Sequence, residues 1–254
     1  MKHMLAVDIG NTNITVGIFC GARMLAKTKI PTHNYSLYEE NIKRFLKSRG
    51  IEMKDLETVA ISSVAPLALA RFIMHLGRIG CRRRAIIGRD IKVPIINKYK
   101  VKSEVGQDRL VNAFAAKSIY GAPAVIIDFG TAVTFDVVSK KGEYLGGLIL
   151  PGIALSLRGL YEKTALLPKV ELKPASSIIG KDTVNSIRGG LLFGFGAMCD
   201  GLIAKYRGMF GNNTITIATG GNADLIKRYA GSIDIVDEDL TLKGIALTTA
   251  ASTQ

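Results

Sequence analysis

The sequence predicts a layered α/β fold made twice over, and three observations carry that prediction. The segment Asp8-Ile-Gly-Asn-Thr-Asn-Ile-Thr-Val-Gly-Ile-Phe19 reappears in outline as Asp128-Phe-Gly-Thr-Ala-Val-Thr-Phe-Asp-Val-Val138. Both run from an apolar strand through Asp-x-Gly to a hydroxyl or amide residue, then into an alternating β-branched strand, the period-2 pattern of a half-buried hairpin. The two aspartates lie 120 residues apart in a chain of 254, one in each half. After each copy, short apolar strands alternate with stretches of helical spacing, the order of a layered α/β domain.

Residues 4–19 read as a hairpin and 25–30 as a third strand. Leu37, Ile42, Phe45 and Leu46 fall at helical spacing within 36–49, and Gly50 stands where helices stop. Val59-Ala-Ile-Ser62 is a short buried strand entering Ser63-Val-Ala-Pro66. A helix over 67–78 and a strand Ala85-Ile-Ile87 follow. The second half opens with a helix over 107–120, where Leu110, Val111, Phe114, Ala115 and Ile119 form an apolar stripe; Gly121 and Pro123 stop it. Strands 124–128, 132–138 and 144–150 come next, then helices over 153–163 and, rich in glycine, 183–207. Strand Thr214-Ile-Thr-Ile-Ala218 runs into Thr219-Gly-Gly-Asn222 and a helix from 223, and a last helix spans 243–251. This divides the chain into two domains, 1–113 and 114–254, each of ordinary size.

With 48% hydrophobic and 22% charged residues, the composition is that of a folded chain. The longest uncharged apolar stretch, Tyr144 to Leu157, is broken by Pro151 and falls short of the roughly 18–20 residues that span a bilayer. The N-terminus enters the strand Leu5-Ala6-Val7-Asp8 without a signal-peptide core. A cytoplasmic protein with no membrane partner is therefore expected. Cys20, Cys81 and Cys199 are too few and too scattered for a metal site and read as reduced thiols. His3, His33 and His75 are isolated and receive no role. Of the net charge of +13, the window from Arg71 to Lys102 supplies +9, ten bases against Asp90 alone. It reads first as a solvated face, next as a surface that steers anions, and only last as a nucleic-acid surface. No aromatic interleaves Arg82-Arg83-Arg84 to stack on bases.

Turns of Gly, Asn and Thr bring bare backbone N–H groups and short hydroxyls close to a bound group, and the aspartate ending each strand adds a hard oxygen ligand. Two such turns facing each other suit a polyphosphate and its metal; a lone copy reads better as an ordinary hairpin. Gly220-Gly221 makes a third glycine turn at a strand end, where ligands of layered α/β folds collect. It leaves room for a flat purine or a phosphate against a helix N-terminus, although such pairs also simply relieve crowding. Neither Gly-x-x-x-x-Gly-Lys-Ser/Thr nor Gly-x-Gly-x-x-Gly occurs, which argues against P-loop and Rossmann readings.

Taken in order, these turns resemble the actin, Hsp70 and sugar-kinase superfamily, and within it the type III pantothenate kinases nearly end to end. The residues that carry the likeness are Asp8-Ile-Gly-Asn-Thr-Asn13, Ser62-Ser-Val-Ala-Pro66, Gly106-Gln-Asp-Arg109, Asp128-Phe-Gly-Thr-Ala132, Leu145-Gly-Gly to Leu150-Pro-Gly152, Thr164-Ala-Leu-Leu-Pro168, Gly180-Lys-Asp-Thr183 and Ala218-Thr-Gly-Gly221. The resemblance implies two similar ribonuclease H-like, actin-like ATPase domains with a cleft between them. It implies ATP- and Mg²⁺-dependent phosphorylation of pantothenate, the first step towards coenzyme A, and a homodimer. Asp8, Ile9, Gly10, Asn11, Thr12, Asn13, Ile14 and Thr15 then form the first ATP loop, Asp8 meeting Mg²⁺ through water, and Thr131 contacts ATP from the second. Asp128 becomes the ligand of a monovalent cation, K⁺ or NH₄⁺. Tyr99, Gly106, Gln107, Asp108, Arg109 and Thr183 line the pantothenate pocket, with Asp108 the catalytic base. Asn13 replaces a histidine of some members, and Asp182 stands where asparagine is common.

The chemistry of Asp108 also stands on its own. A carboxylate can hold a primary hydroxyl in line with a γ-phosphorus and accept its proton. Alternatively, Asp108 stabilises the start of the 107–120 helix through the macrodipole, which favours its ionised form. Arg109 suits a carboxylate or phosphoryl oxygen, or is a plain surface arginine. Thr183 also fits a helix cap, and Tyr99 an edge-strand aromatic. Residues 189–204 are apolar almost all round a presumed helix, which needs cover on every side; a two-fold contact supplies it, as does burial within the second domain. Competing functions are another small-metabolite kinase or an exopolyphosphatase-like phosphohydrolase of the same fold, and a non-catalytic nucleic-acid-binding or regulatory homologue using the 71–102 patch.

Overall fold

A computed structural model describes residues 3–252. In chain order these form β1 His3–Ile9, β2 Asn13–Cys20, β3 Arg23–Pro31, α1 Tyr38–Lys47, β4 Leu56–Ser63, α2 Pro66–Arg78, β5 Arg84–Ile86 and α3 Gln107–Tyr120. There follow β6 Ala124–Phe129, β7 Ala132–Val138, β8 Tyr144–Pro151, α4 Ile153–Lys163, α5 Thr183–Phe210, β9 Ile215–Thr219, α6 Ala223–Lys227, β10 Ile235–Val236 and α7 Leu240–Ser252. The expected strands and helices are present. The two-residue β10, too short to show a period, was not anticipated, and α6 stops after one turn and a half.

The chain makes two compact units, one of residues 1–95, 100–115 and 240–254, the other of 96–99 and 116–239. The expected cut between 113 and 114 falls within two residues of the break in α3. The structure corrects it at the C-terminus, however, because α7 belongs with the first sheet. The physical reason is a row of small residues that lets α7 lie close. A Cβ on Gly17 would come within 2.9 Å of Leu242, and one on Gly244 within 2.5 Å of the Val111 carbonyl.

The first sheet runs β3-β2-β1-β4-β5 and the second β10-β9-β6-β7-β8. Each begins with an antiparallel hairpin, β1/β2 or β6/β7, whose first strand also pairs in parallel with a later one, β4 or β9. The topology is thus the same twice. In the first unit, Leu5, Val7 and Ile9 point into a core with Tyr38, Ile42, Phe72 and Leu76 of α1 and α2. The alternate residue Ala6 faces Val111 of α3 and Leu242, Ile245 and Ala246 of α7. Asp8 shares that second face by the period of two. In the second unit, Val125, Ile127 and Phe129 pack on Ile153, Leu192, Cys199 and Ile203.

Helix α5 buries Gly189, Leu192, Gly196, Cys199 and Ile203 along one face; a Cβ on Gly196 would sit 2.1 Å from the Tyr229 carbonyl oxygen. The opposite face exposes Gly190, Gly194, Ala197, Gly201 and Gly208. At 28 residues α5, not the 144–157 stretch, is the helix long and apolar enough by composition to cross a membrane among the described residues. That match is weak, since the core helix of a globular fold passes the same test.

Candidate active site

The first loop is a tight reversal from β1 to β2, closed by the Gly10 N–H donating to the Asn13 carbonyl at 3.0 Å. Asn11, Thr12 and Asn13 are exposed, Asp8 and Thr15 half-buried, Ile9 and Ile14 in the core. Glycine is fitted to position 10 because a Cβ there would press on the Asn13 oxygen at 3.1 Å. Asp8 pairs in register with Ser62 across β1/β4. Ser62 is fully buried, and its hydroxyl has no hydrogen-bond partner among the described residues.

The second loop repeats this arrangement. Asp128, half-buried at the end of β6, pairs in register with Thr219 of β9. The Thr219 hydroxyl, 1% exposed, also has no described partner. Gly220, at φ +89°, turns the chain here, and a Cβ on it would lie 2.6 Å from Asp128 Oδ1. Close approach to Asp128, rather than a helix N-terminus, is therefore what this glycine provides, since α6 has only five residues. Gly152 packs under the loop, where a Cβ would meet the carbonyl oxygens of Thr131 and Gly130 at 2.3 and 2.6 Å. Thr131 is exposed at the loop tip.

Both strand ends thus offer a carboxylate beside a buried hydroxyl, a hard oxygen set suited to Mg²⁺ or a monovalent cation that completes its shell with water and phosphate. Among the described residues there is no group of three or more His, Cys, Asp or Glu able to hold a metal by itself.

Gly106 to Arg109 lie at the same end of the first sheet as Asp8. The Val64 N–H donates to the Ile9 carbonyl at 3.1 Å, and a Cβ on Gly106 would lie 3.6 Å from Val64. That same Cβ would meet Asp108 Oδ1 at 2.5 Å, so glycine at 106 lets the carboxylate fold back over the helix start. There it accepts the Arg109 N–H at 2.8 Å. The macrodipole argument for an easily ionised Asp108 is outweighed: burial pushes its carboxyl above the usual aspartate range, with the Arg109 N–H and charge pulling the other way. Arg109 is 7% exposed, not a surface arginine. Gln107 packs against Gly88, at φ +87°, where a Cβ would strike its side chain at 2.5 Å.

Tyr99 belongs to the second unit. Its ring lies over Gly146, with a Cβ there 3.1 Å from ring carbons, and 6.5 Å from the Tyr144 ring. The Tyr144 hydroxyl donates to the buried Asp136 at 2.8 Å. Gly147 admits no side chain, its Cβ position being 1.6 Å from the Phe135 oxygen. Thr183 is exposed as the first residue of α5. It is not the cap, a role taken by Asp182, which accepts the Asn185 N–H at 2.8 Å.

The basic window is partly neutralised within its own unit in each case: Arg78 by Glu39, Arg89 by Asp90 and Lys98 by Glu143. Arg82 and Arg83 border an open cavity of about 670 Å³ with Glu52, Asp55 and Glu57. It lies at the amino ends of β4 and β5, away from Asp8. Sequence reasoning gave no role to Thr219, Gly88 or Thr32, and none to the hydroxyl of Ser62, although Ser62 and Thr219 both fall inside quoted motifs.

Comparison with known proteins bears on this geometry. A family model described as Type III pantothenate kinase matches residues 4–205. A type III pantothenate kinase of Moorella thermoacetica is 36% identical over 247 residues, covering 96% of this chain and 97% of its own. One of Listeria welshimeri is 37% identical over 252 residues, covering 96% and 95%. Among solved structures, an inorganic polyphosphate/ATP-glucomannokinase from Arthrobacter sp. strain KM is 15% identical with a TM-score of 0.52, covering 99% of this chain and all of its own. That likeness shows the fold, that of the actin-like ATPases and sugar kinases.

Proposed function

Because the chain belongs to the type III pantothenate kinase family, we propose that its two acid loops hold ATP and that Asp108 activates the hydroxyl of pantothenate. The family reaction phosphorylates pantothenate with ATP and a divalent metal, on the way to coenzyme A, and no observation favours a nucleic-acid-binding or phosphohydrolase reading over it. The observation that carries the mechanism is the Asp108 carboxylate, half-buried at the start of α3 with its pKa raised, at the strand end where the first loop lies.

Backbone N–H groups of residues 8–15 and the Thr131 hydroxyl hold phosphate oxygens. Asp8 would hold Mg²⁺, which when bound would supply neutralising charge at the transferring phosphoryl group. Asp128, beside Thr219 and Gly220, would hold a monovalent cation, K⁺ or NH₄⁺. Gly106 to Arg109, Tyr99 and Thr183 contact pantothenate, the Arg109 guanidinium donating to the carboxylate of pantothenate. Asp108 aligns the primary hydroxyl with the γ-phosphorus and takes its proton as the new P–O bond forms and the bond to ADP breaks.

The active form is a homodimer in the cytoplasm, with pantothenate bound at or near the subunit interface. Support comes from the exposed small-residue face of α5 and the exposed Leu145, Leu148 and Ile149 on edge strand β8. Between them lies an apolar groove of about 520 Å³, floored by Met198, Gly201 and Leu202. A second copy, related by a two-fold axis, covers both faces at once. Incubation with ATP, Mg²⁺, K⁺ and pantothenate should give phosphopantothenate and ADP in equal amounts; ADP without phosphorylated pantothenate would reject the reading.

A further inference from the structure

The loop joining β1 to β2 has little packing of its own, and much of what fixes its shape comes from Thr32. This residue follows the last residue of β3 and is 1% exposed. Its hydroxyl donates to the Gly10 carbonyl at 2.8 Å, and its backbone N–H donates to the Thr12 carbonyl at 3.0 Å. The Thr32 carbonyl in turn accepts the hydroxyl of Tyr38, a fully buried ring set edge-on to Phe72 and His75. Burial pushes the Tyr38 hydroxyl up to about 12, so it stays a donor at neutral pH. The line of contacts ends in the helices, where His75 Nδ1 meets Glu39 Oε1 at 2.8 Å and ties α2 to α1.

A trans peptide unit carries its C=O and its N–H on opposite sides of one plane. Pinning the carbonyls of Gly10 and Thr12 to Thr32 therefore turns the N–H groups of Asn11 and Asn13 away from it. We infer that Thr32 is a positioning residue for the first loop, setting two peptide planes so that their N–H groups meet the phosphates of a nucleotide. The inference rests on the reading of residues 8–15 as the ATP loop. Thr32 itself touches no reacting atom. Without its hydroxyl the Gly10–Asn11 plane gains freedom, and that freedom must be given up again when phosphate binds. An ordinary core threonine would affect stability alone, whereas a positioning threonine affects one substrate selectively.

Thr32→Val keeps the shape and removes the donor, and Thr32→Ser keeps the donor. Calorimetric titration with Mg-ATP, KM values for ATP and for pantothenate, and melting temperatures should be compared for both variants. The valine variant should bind ATP about tenfold more weakly, the worth of one well-made hydrogen bond, with the pantothenate KM unchanged and the serine variant restored. Wild-type ATP affinity in Thr32→Val would overturn the inference. So would equal losses for both substrates that follow the melting temperature and are not recovered by serine. Asp8→Asn separates the two levels. If it and Thr32→Val both bind Mg-ATP like the wild type, nothing ties the loop to the nucleotide and both readings fall. If it binds weakly while Thr32→Val does not, the positioning role alone falls.

Discussion

Asp8 of β1 and Ser62 of β4 are partners in the parallel register of the first sheet, and both emerge on the face covered by α3 and α7. Asp128 and Thr219 stand in the same relation in the second sheet. The duplication thus extends beyond the Asp-x-Gly signature to the hydroxyl beside each aspartate. A buried hydroxyl with no protein partner costs about 1–3 kcal/mol. Ser62→Ala and Thr219→Val, which remove it without changing volume greatly, should therefore leave stability unchanged or raise it by about 1 kcal/mol. A clear fall in the urea midpoint of either variant would show that the hydroxyl has a protein partner after all.

Asp108→Asn should lower kcat by about 10²- to 10⁴-fold, the usual worth of a positioned base, while Mg-ATP affinity stays near wild type. The amide keeps the shape and cannot accept the hydroxyl proton. Turnover near wild type in a single-turnover assay would remove Asp108 from the proton transfer.

The raised pKa of Asp108 has two further signs to test. As a base it works only when ionised, so the acidic limb of kcat/KM should lie above the ordinary aspartate range of about 4. For stability, a carboxyl whose folded pKa exceeds its unfolded one binds its proton more tightly in the native state. Its stabilising contribution is complete below the unfolded pKa and is lost as pH rises through the folded pKa. Asp108→Asn should accordingly melt higher than wild type at neutral pH, with the gap closing in acid. A lower melting temperature at pH 7 contradicts this.

Activity should depend on K⁺ or NH₄⁺ and fall in a buffer containing only Na⁺, with Asp128→Asn reducing the response to added K⁺. Replacing K⁺ by Na⁺ at constant ionic strength is the direct measurement. Full turnover in Na⁺ would reassign Asp128.

Light scattering at micromolar concentration should give twice the chain mass of 27.3 kDa. Ile149 is 64% exposed within the chain, so Ile149→Asp should leave the fold intact and shift the mass towards a monomer. A wild-type mass of 27.3 kDa with activity independent of dilution would refute the dimer.

Most of the fold was legible because its signals are local. The alternation in β1, β2, β6 and β7 and the stops at Gly50 and Gly121 are short-range patterns, and the strands and helices fall where these place them. The Asp-x-Gly turns and the Gly106–Arg109 run were visible for the same reason. What escaped depends on distance in the chain. Thr32 sits in an unremarkable stretch and reaches the first loop only because β3 returns beside β2. For Arg109 the alternative of a plain surface residue stayed open beside the binding role, because burial by non-neighbouring segments leaves no local trace. The raised pKa of Asp108 was missed because the dipole argument counts charge and not lost water. The C-terminal helix could be placed within its own segment, but not onto the sheet it covers.

That last placement bears on how the protein is made. A ribosome delivers the chain from its N-terminus, and β1 to β5 emerge early with the α1 and α2 side of the sheet able to close at once. The other side, with Ala6, Ala60 and Phe19, is met in part by Val111 of α3 and completed only by Leu242, Ile245 and Ala246, which follow the whole of the second unit in the chain. During synthesis the nascent first sheet therefore keeps part of an apolar face uncovered until the α7 segment has been made. A product cut short before α7 would leave that apolar surface open to water and to other chains.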